Sequence, residues 1–146
     1  MSSATEYKLG KYSISTDKTK LNRPLVHTFL SQSSYWAQGR DYGTVAKSIE
    51  HSLCFGVYAA REQIGFARVV TDFATFAWLC DLFVLDAHRG QGLGKWLVEC
   101  VTSYPDLRNV TRFVLATRDA HQLYRRHGKF ETLSNADWWM ARTSTG

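Results

Sequence analysis

At 146 residues the chain has the length of one domain built around one core, which argues against a multidomain machine. Hydrophobic residues make up 45% and aromatics 14%, with only two prolines, a composition of packed globular proteins and not of disordered chains. The formal charge of +5 suits phosphates, nucleic acid or an anionic membrane equally and fixes no fold.

No stretch approaches the roughly 18 apolar residues of a membrane span, and the first 20 residues lack the apolar run of a signal peptide. A soluble, cytoplasmic protein is expected. Cys54, Cys80 and Cys100 are odd in number, widely spaced and set in apolar runs. They point to reduced core thiols, with neither a disulfide framework nor a metal site.

Residues 1–10 are small, polar and charged, and read as a loose leader to a single domain over 1–146. Tyr12 to Thr16 is a short strand. Leu25, Val26, Phe29 and Leu30 follow helical spacing, as do Tyr42, Val45, Ala46 and Ile49, so two helices are expected before the main sheet. Between them a polar loop carries Ser34, Tyr35 and Trp36, an unusual pair of aromatics for a mere connection. Leu53–Tyr58 and Ile64–Thr71 read as an antiparallel hairpin about Arg61-Glu62-Gln63, and Thr75–Leu85 as a third strand after a turn at Asp72. Leu93, Trp96, Leu97, Cys100 and Val101 form one stripe of an amphipathic helix that Pro105 ends. Phe113–Ala116 is a short strand, Ala120–His127 a helix stopped at Gly128, and Phe130–Leu133 and Trp138–Met140 are expected as final strands. Trp78 and Trp96 fall within apolar patterns and are expected in the core. The order defines an α+β fold with one strand-helix-strand unit in its second half.

The most informative stretch runs from Asp81 to Trp96. A buried strand enters a turn with glycines at 90, 92 and 94, and the turn opens a helix. Free N–H groups and the positive end of the helix dipole then converge, so an anion is expected there. The P-loop pattern fails because Gly94-Lys95 is followed by Trp96, and the dinucleotide fingerprint fails because the glycines alternate. What remains is R-x-x-G-x-G, filled by Arg89, Gly92 and Gly94. A glycine turn that holds no ligand is the bland alternative.

This motif resembles the coenzyme A diphosphate signature of the GNAT acetyltransferase superfamily. The stretch Asp119 to Gly128 resembles that family's second cofactor helix, with its Leu123-Tyr124 pair and a glycine four residues after the tyrosine. One departure is visible, since Lys129 stands between that glycine and Phe130, where the family usually has an aromatic. The chain is also similar to a set of small members with a serine-tyrosine-tryptophan loop and a Thr-Arg-Asp-Ala-His run, here Thr117 to His121. The resemblance covers roughly residues 12–140. It implies a mixed, mostly antiparallel sheet of six to seven strands flanked by about four helices, with a cofactor cleft between splayed neighbouring strands.

The resemblance further implies an N-acetyltransferase that moves the acetyl group of acetyl-CoA to a primary amine by direct attack in a ternary complex. Arg89, Gly90, Gln91, Gly92, Leu93, Gly94 and Lys95 would hold the diphosphate, and the edge Leu82-Phe83-Val84 would pair with pantetheine. Tyr124 is the candidate general acid for the departing thiolate, and Asp81 the candidate base. A core aromatic and a structural carboxylate are the competing readings of those two residues. His27 and Glu50 are weaker options for the base. Ser34, Tyr35 and Trp36 would shape the acceptor pocket, although a lone tryptophan such as Trp36 is more often a packing plug. From His88 to Lys129 eight Lys and Arg face three acids, an excess equal to the net charge of the whole chain. That excess would attract coenzyme A. The acceptor is expected to be a small-molecule or peptide amine, with no nucleic acid, membrane or metal involved, and edge strands near the C-terminus are candidates for homodimer pairing. A non-catalytic acyl-CoA sensor of the same fold is the alternative, and a nucleic-acid binder a third reading that lacks any base-reading motif.

Overall fold

The computed structural model describes residues 4–144. Its sheet runs in sequence order, β1 (Glu6–Leu9), β2 (Tyr12–Ser15), β3 (Leu53–Ala59), β4 (Glu62–Thr71), β5 (Phe76–Val84) and β6 (Arg112–Val114). Every neighbour pair is antiparallel except β5 and β6, which run parallel. The parallel pair requires a crossover, and α3 (Leu93–Thr102) supplies it. Helices α1 (Arg23–Thr28), α2 (Tyr42–Glu50) and α4 (His121–Gly128) complete the α+β architecture expected from the sequence.

Local chemistry sets the helix ends. Asn22 caps α1 by accepting from the Leu25 N–H, and Asp41 caps α2 by accepting from the Thr44 N–H. At the β4–β5 reversal one Asp72 oxygen accepts from the N–H groups of Ala74, Thr75 and Phe76, as the turn expected there requires.

The sheet separates two apolar layers. On one face Phe55, Val57, Ile14 and Val69 pack against Leu97 and Val101 of α3. On the other, Phe66, Phe83 and Cys54 pack against Val26 and Leu30 of the α1 segment and Val45 and Ile49 of α2. Full burial of side chains such as Phe55 and Phe66 stabilises the fold by about 1.5–3 kcal/mol each.

Four expectations are corrected. Part of the segment read as a loose leader, Glu6–Leu9, is the edge strand β1, paired with β2 through its backbone. The two final strands do not form: residues 129–135 are irregular, and Ala136–Trp138 is one 3-10 turn. There Phe130 sets its ring edge-on against Phe113 and Tyr124, Arg112 lies over the Trp139 ring, and Trp138 and Met140 are exposed. Trp78 is 43% exposed and belongs to the cavity described below, whereas Trp96 does pack on the core. The hairpin reverses one step earlier than expected, at Ala60-Arg61, with Ala60 in the left-handed region (φ 55°).

The reshaped end of α4 also has a physical cause. Lys129 takes the left-handed capping conformation (φ 60°), and both it and Phe130 donate N–H to the Tyr124 carbonyl. Gly128 is needed for packing, since a Cβ there would lie 2.8 Å from the Phe130 ring and 3.0 Å from Val98 Cγ1.

Candidate active site

Strands β5 and β6 share only the pairs Phe76–Arg112, Ala77–Phe113 and Trp78–Val114, after which β5 runs on alone to Val84. The strands part, and a cavity of about 480 Å³ opens between β5, the loop after α1 and the segment leading into α4. Tyr35, Trp36, Trp78, Cys80, Asp81, Leu82, Arg118, Asp119 and Tyr124 are among its walls.

A bulge lies within this wall. Phe66 pairs with Phe83 and Arg68 with Cys80, so Ala67 alone opposes both Asp81 and Leu82. Asp81 adopts φ 56°, a strained conformation for a residue with a Cβ. Its side chain, 1% exposed, explains why the strain persists. One oxygen accepts from Trp36 Nε1 at 2.8 Å, the other from Arg68 Nε at 2.9 Å, and Arg40 Nη1 lies 3.3 and 3.1 Å from the two. Arg68 donates in addition to Ser52 Oγ at 3.0 Å. The lone pairs of Asp81 are therefore filled by protein donors.

The two short motifs of the sequence meet across this cavity. The Tyr35 hydroxyl accepts from the Arg118 N–H at 2.8 Å, and the Arg118 guanidinium lies 3.9 Å from the centre of the Tyr35 ring. Trp36 stands edge-on to Tyr35 while holding Asp81. Ser34 sits beneath: its hydroxyl donates to the Leu30 carbonyl and accepts from the Ala37 N–H, which fixes the loop. Ser34 is buried and absent from the cavity wall. His27 bonds the Arg40 carbonyl through Nε2 at 3.0 Å and lies outside the wall, as does Glu50.

Tyr124 projects from α4 into the cavity, and burial, assisted by the Tyr35 phenol and the Asp119 carboxylate, pushes its hydroxyl up to about 12. At the other end of β5 the chain turns through Arg89–Lys95. Gly90 and Gly92 have φ 82° and 77°, which only glycine adopts without strain. Gly92 caps α3 without any side chain bonding the first turn, so the leading N–H groups of a ten-residue helix stay open. Nothing lies within 4 Å of where a Cβ would stand at Gly90, Gly92 or Gly94. Arg89 is braced by the Val84 carbonyl at 3.3 Å and Asp86 at 2.9 Å. Leu93, Phe83 and Val84 bury their side chains, so they offer only main-chain groups, while Leu82 lines the cavity.

Arg40, Arg68 and Arg118 were not singled out from the sequence. Arg68 left a signal, being a charge inside the apolar run from Ile64 to Val70 with Asp81 available on the next strand. Arg118 left one as a member of the Thr117 to His121 run, and Arg40 left none.

Burial pushes the thiols of Cys54 and Cys100 up to about 11 and that of Cys80 to about 12. Ellman's reagent at pH 8 is expected to label the native chain on the order of 100-fold more slowly than the urea-unfolded chain. Rapid labelling of Cys80 in the native protein would refute this.

A curled sheet whose parallel strands part beside a glycine bend and a helix N-terminus defines a class of acyl-transferring domains. The family model for the acetyltransferase (GNAT) domain matches residues 50–128, and the chain belongs to that family. A protein of Gibberella zeae assigned by name to the acetyltransferases is 30% identical over 138 residues, covering 79% of this chain and 76% of that one. The crystal structure of a GNAT-family protein from Xanthomonas campestris pv. campestris is 44% identical, with a TM-score of 0.87 over 91% of this chain and 93% of that chain. AAC(6')-Iy, solved with the bisubstrate analogue CoA-S-monomethyl-acetylneamine, shares the fold at 18% identity and a TM-score of 0.62, over 97% of this chain and 100% of that one.

Proposed function

We propose that the protein transfers an acetyl group from acetyl-CoA to a primary amine, with both substrates bound together. The observation that carries this reading is the parted strands with Tyr124 on the wall of the cavity between them, together with the open glycine bend that follows β5 in the chain. The residues present fit the carrier: the bend has room at three glycines, and the helix behind it presents uncapped N–H groups.

Acetyl-CoA, when bound, supplies an acyl group activated as a thioester. Arg89, Gly90, Gln91, Gly92, Leu93, Gly94 and Lys95 hold the diphosphate, largely through main-chain N–H groups. The free edge at Leu82-Phe83-Val84 aligns the pantetheine arm as an added strand would. The bulge at Asp81–Leu82 releases a main-chain amide from the ladder, and that amide stabilises negative charge developing on the carbonyl oxygen. Tyr124 donates a proton to the departing sulfur. Asp81, whose oxygens are already engaged, positions the bulge, Trp36 and the two arginines in place of taking a proton. Asp119, an exposed carboxylate on the cavity wall, receives the amine proton directly or through solvent.

Calorimetry with acetyl-CoA and a thiol-release assay over an amine panel test this reading. Association with thiol release is expected. Association without release from any amine would favour the acyl-CoA sensor. Gly92→Val should weaken acetyl-CoA binding by about 10-fold or more, since a branched side chain strains the left-handed cap and intrudes on the anion. Unaltered affinity in that variant would detach the bend from cofactor binding.

A further inference from the structure

The acceptor side of the cavity carries an uneven set of charges. Three guanidinium groups, those of Arg40, Arg68 and Arg118, face two carboxylates, Asp81 and Asp119. Asp81 is consumed by Arg68, Arg40 and Trp36, so it offers nothing to a cationic ligand. Arg68 is spent in turn on Asp81 and Ser52. Arg40 differs. Its side chain is 26% exposed, and its side-chain hydrogen bonds to described residues run through Nη1 alone, so Nε and Nη2 bond no described residue. The His27 contact to its carbonyl and the bond from its own N–H to the Ala37 carbonyl hold its backbone. Two bodies of aromatic surface, Trp36 at 39% and Trp78 at 43% exposure, lie on the same wall. The contacts run in order from Arg40 and Asp81 through Trp36 and Tyr35 to Arg118, beside Asp119 and Tyr124.

Resting on the transferase reading above, we infer that the acceptor is an amine that also carries a carboxylate on an apolar body, and that Arg40 is the residue that selects the carboxylate. The amine lies at the Asp119 and Tyr124 end, and the carboxylate takes the open edge of Arg40, a charge-assisted contact that a planar guanidinium makes in two hydrogen bonds. The apolar body covers Trp36 and Trp78. A polycation is disfavoured, because three arginines against two carboxylates leave the wall with an excess of positive charge.

Thiol release with phenylalanine, tryptophan and 6-aminohexanoate is to be compared with phenethylamine, tryptamine and hexylamine, and with spermidine. The best carboxylate-bearing amine is expected to exceed its counterpart by about 10- to 100-fold in kcat/KM, the range for losing a hydrogen bond to a charged group. Arg40→Gln should erase that preference mainly through the acceptor KM, with the acetyl-CoA KM unchanged, and Arg40→Lys should restore part of it. Calorimetry on the unaltered protein provides a readout that needs neither turnover nor a variant: indole-3-propionate should bind and tryptamine should not. Equal or better turnover with the decarboxylated amines or spermidine would overturn the inference and leave the transferase reading standing. Indole-3-propionate binding with no thiol release from any amine would overturn the transferase reading and leave Arg40 as a carboxylate site alone. A uniform loss across all acceptors in Arg40→Gln would reduce Arg40 to a support for Asp81.

Discussion

Replacing Tyr124 by phenylalanine is expected to lower kcat on the order of 100-fold while leaving acetyl-CoA affinity nearly unchanged. A thiolate leaving group with a conjugate acid near 8.5 is favoured as the thiol at neutral pH, so a proton donor assists its departure, and the Tyr124 hydroxyl is the phenol that α4 carries into the cavity. Burial is the main reason that this phenol stays protonated up to about 12, above its ordinary value of 10. The sign matters: a raised value keeps the donor form intact across neutral and mildly alkaline pH, so kcat should show no alkaline decline from Tyr124 below about pH 10. Steady-state thiol release over that range, with calorimetry for the cofactor, checks both statements. A variant whose kcat stays within about twofold of the parent would remove Tyr124 from the chemistry.

The second large effect concerns Asp81. Asp81→Asn removes the charge that faces Arg68 at 2.9 Å and Arg40 at 3.1 Å, in a site where the carboxylate is 1% exposed. Breaking a buried pair by deleting one partner costs about 3–5 kcal/mol, because the remaining charge is left without compensation. For a chain of this length, that corresponds to a fall in Tm on the order of 10 °C. The pH profile separates positioning from proton transfer. A base would take the acid limb of kcat away with it. A positioning residue lowers kcat and leaves that limb in place. An Asn variant with the parent Tm and a flattened acid limb would make Asp81 the base after all.

Much of this architecture was legible because its causes are local. The helix stripe from Leu93 to Val101, the β3–β4 hairpin and the glycine bend each follow from spacing within a dozen residues. The misses have a common cause, which is dependence on partners outside the segment itself. Glu6–Leu9 is polar and short, and becomes a strand only because β2 offers a backbone edge. Phe130 to Met140 has strand-like residues but finds ring and guanidinium contacts in place of a ladder. Trp78 shares the apolar run of β5, yet strand alternation turns it to the face opposite Ala77 and Leu79, where the parting strands leave it uncovered. The site itself was half readable: the bend and Tyr124 lie in motifs, whereas the role of Asp81 depends on Trp36 and Arg40 from the loop after α1 and on Arg68 from β4.

With the ladder between β5 and β6 ending at Trp78 and Val114, the remaining rim of β5 has no paired strand on that side among the described residues. On the proposed reading the missing rib is the substrate itself, so the enzyme's architecture is whole only while it is loaded. Departure of the spent carrier then unzips a seam as well as emptying a pocket, which couples the pace of turnover to the stiffness of the sheet.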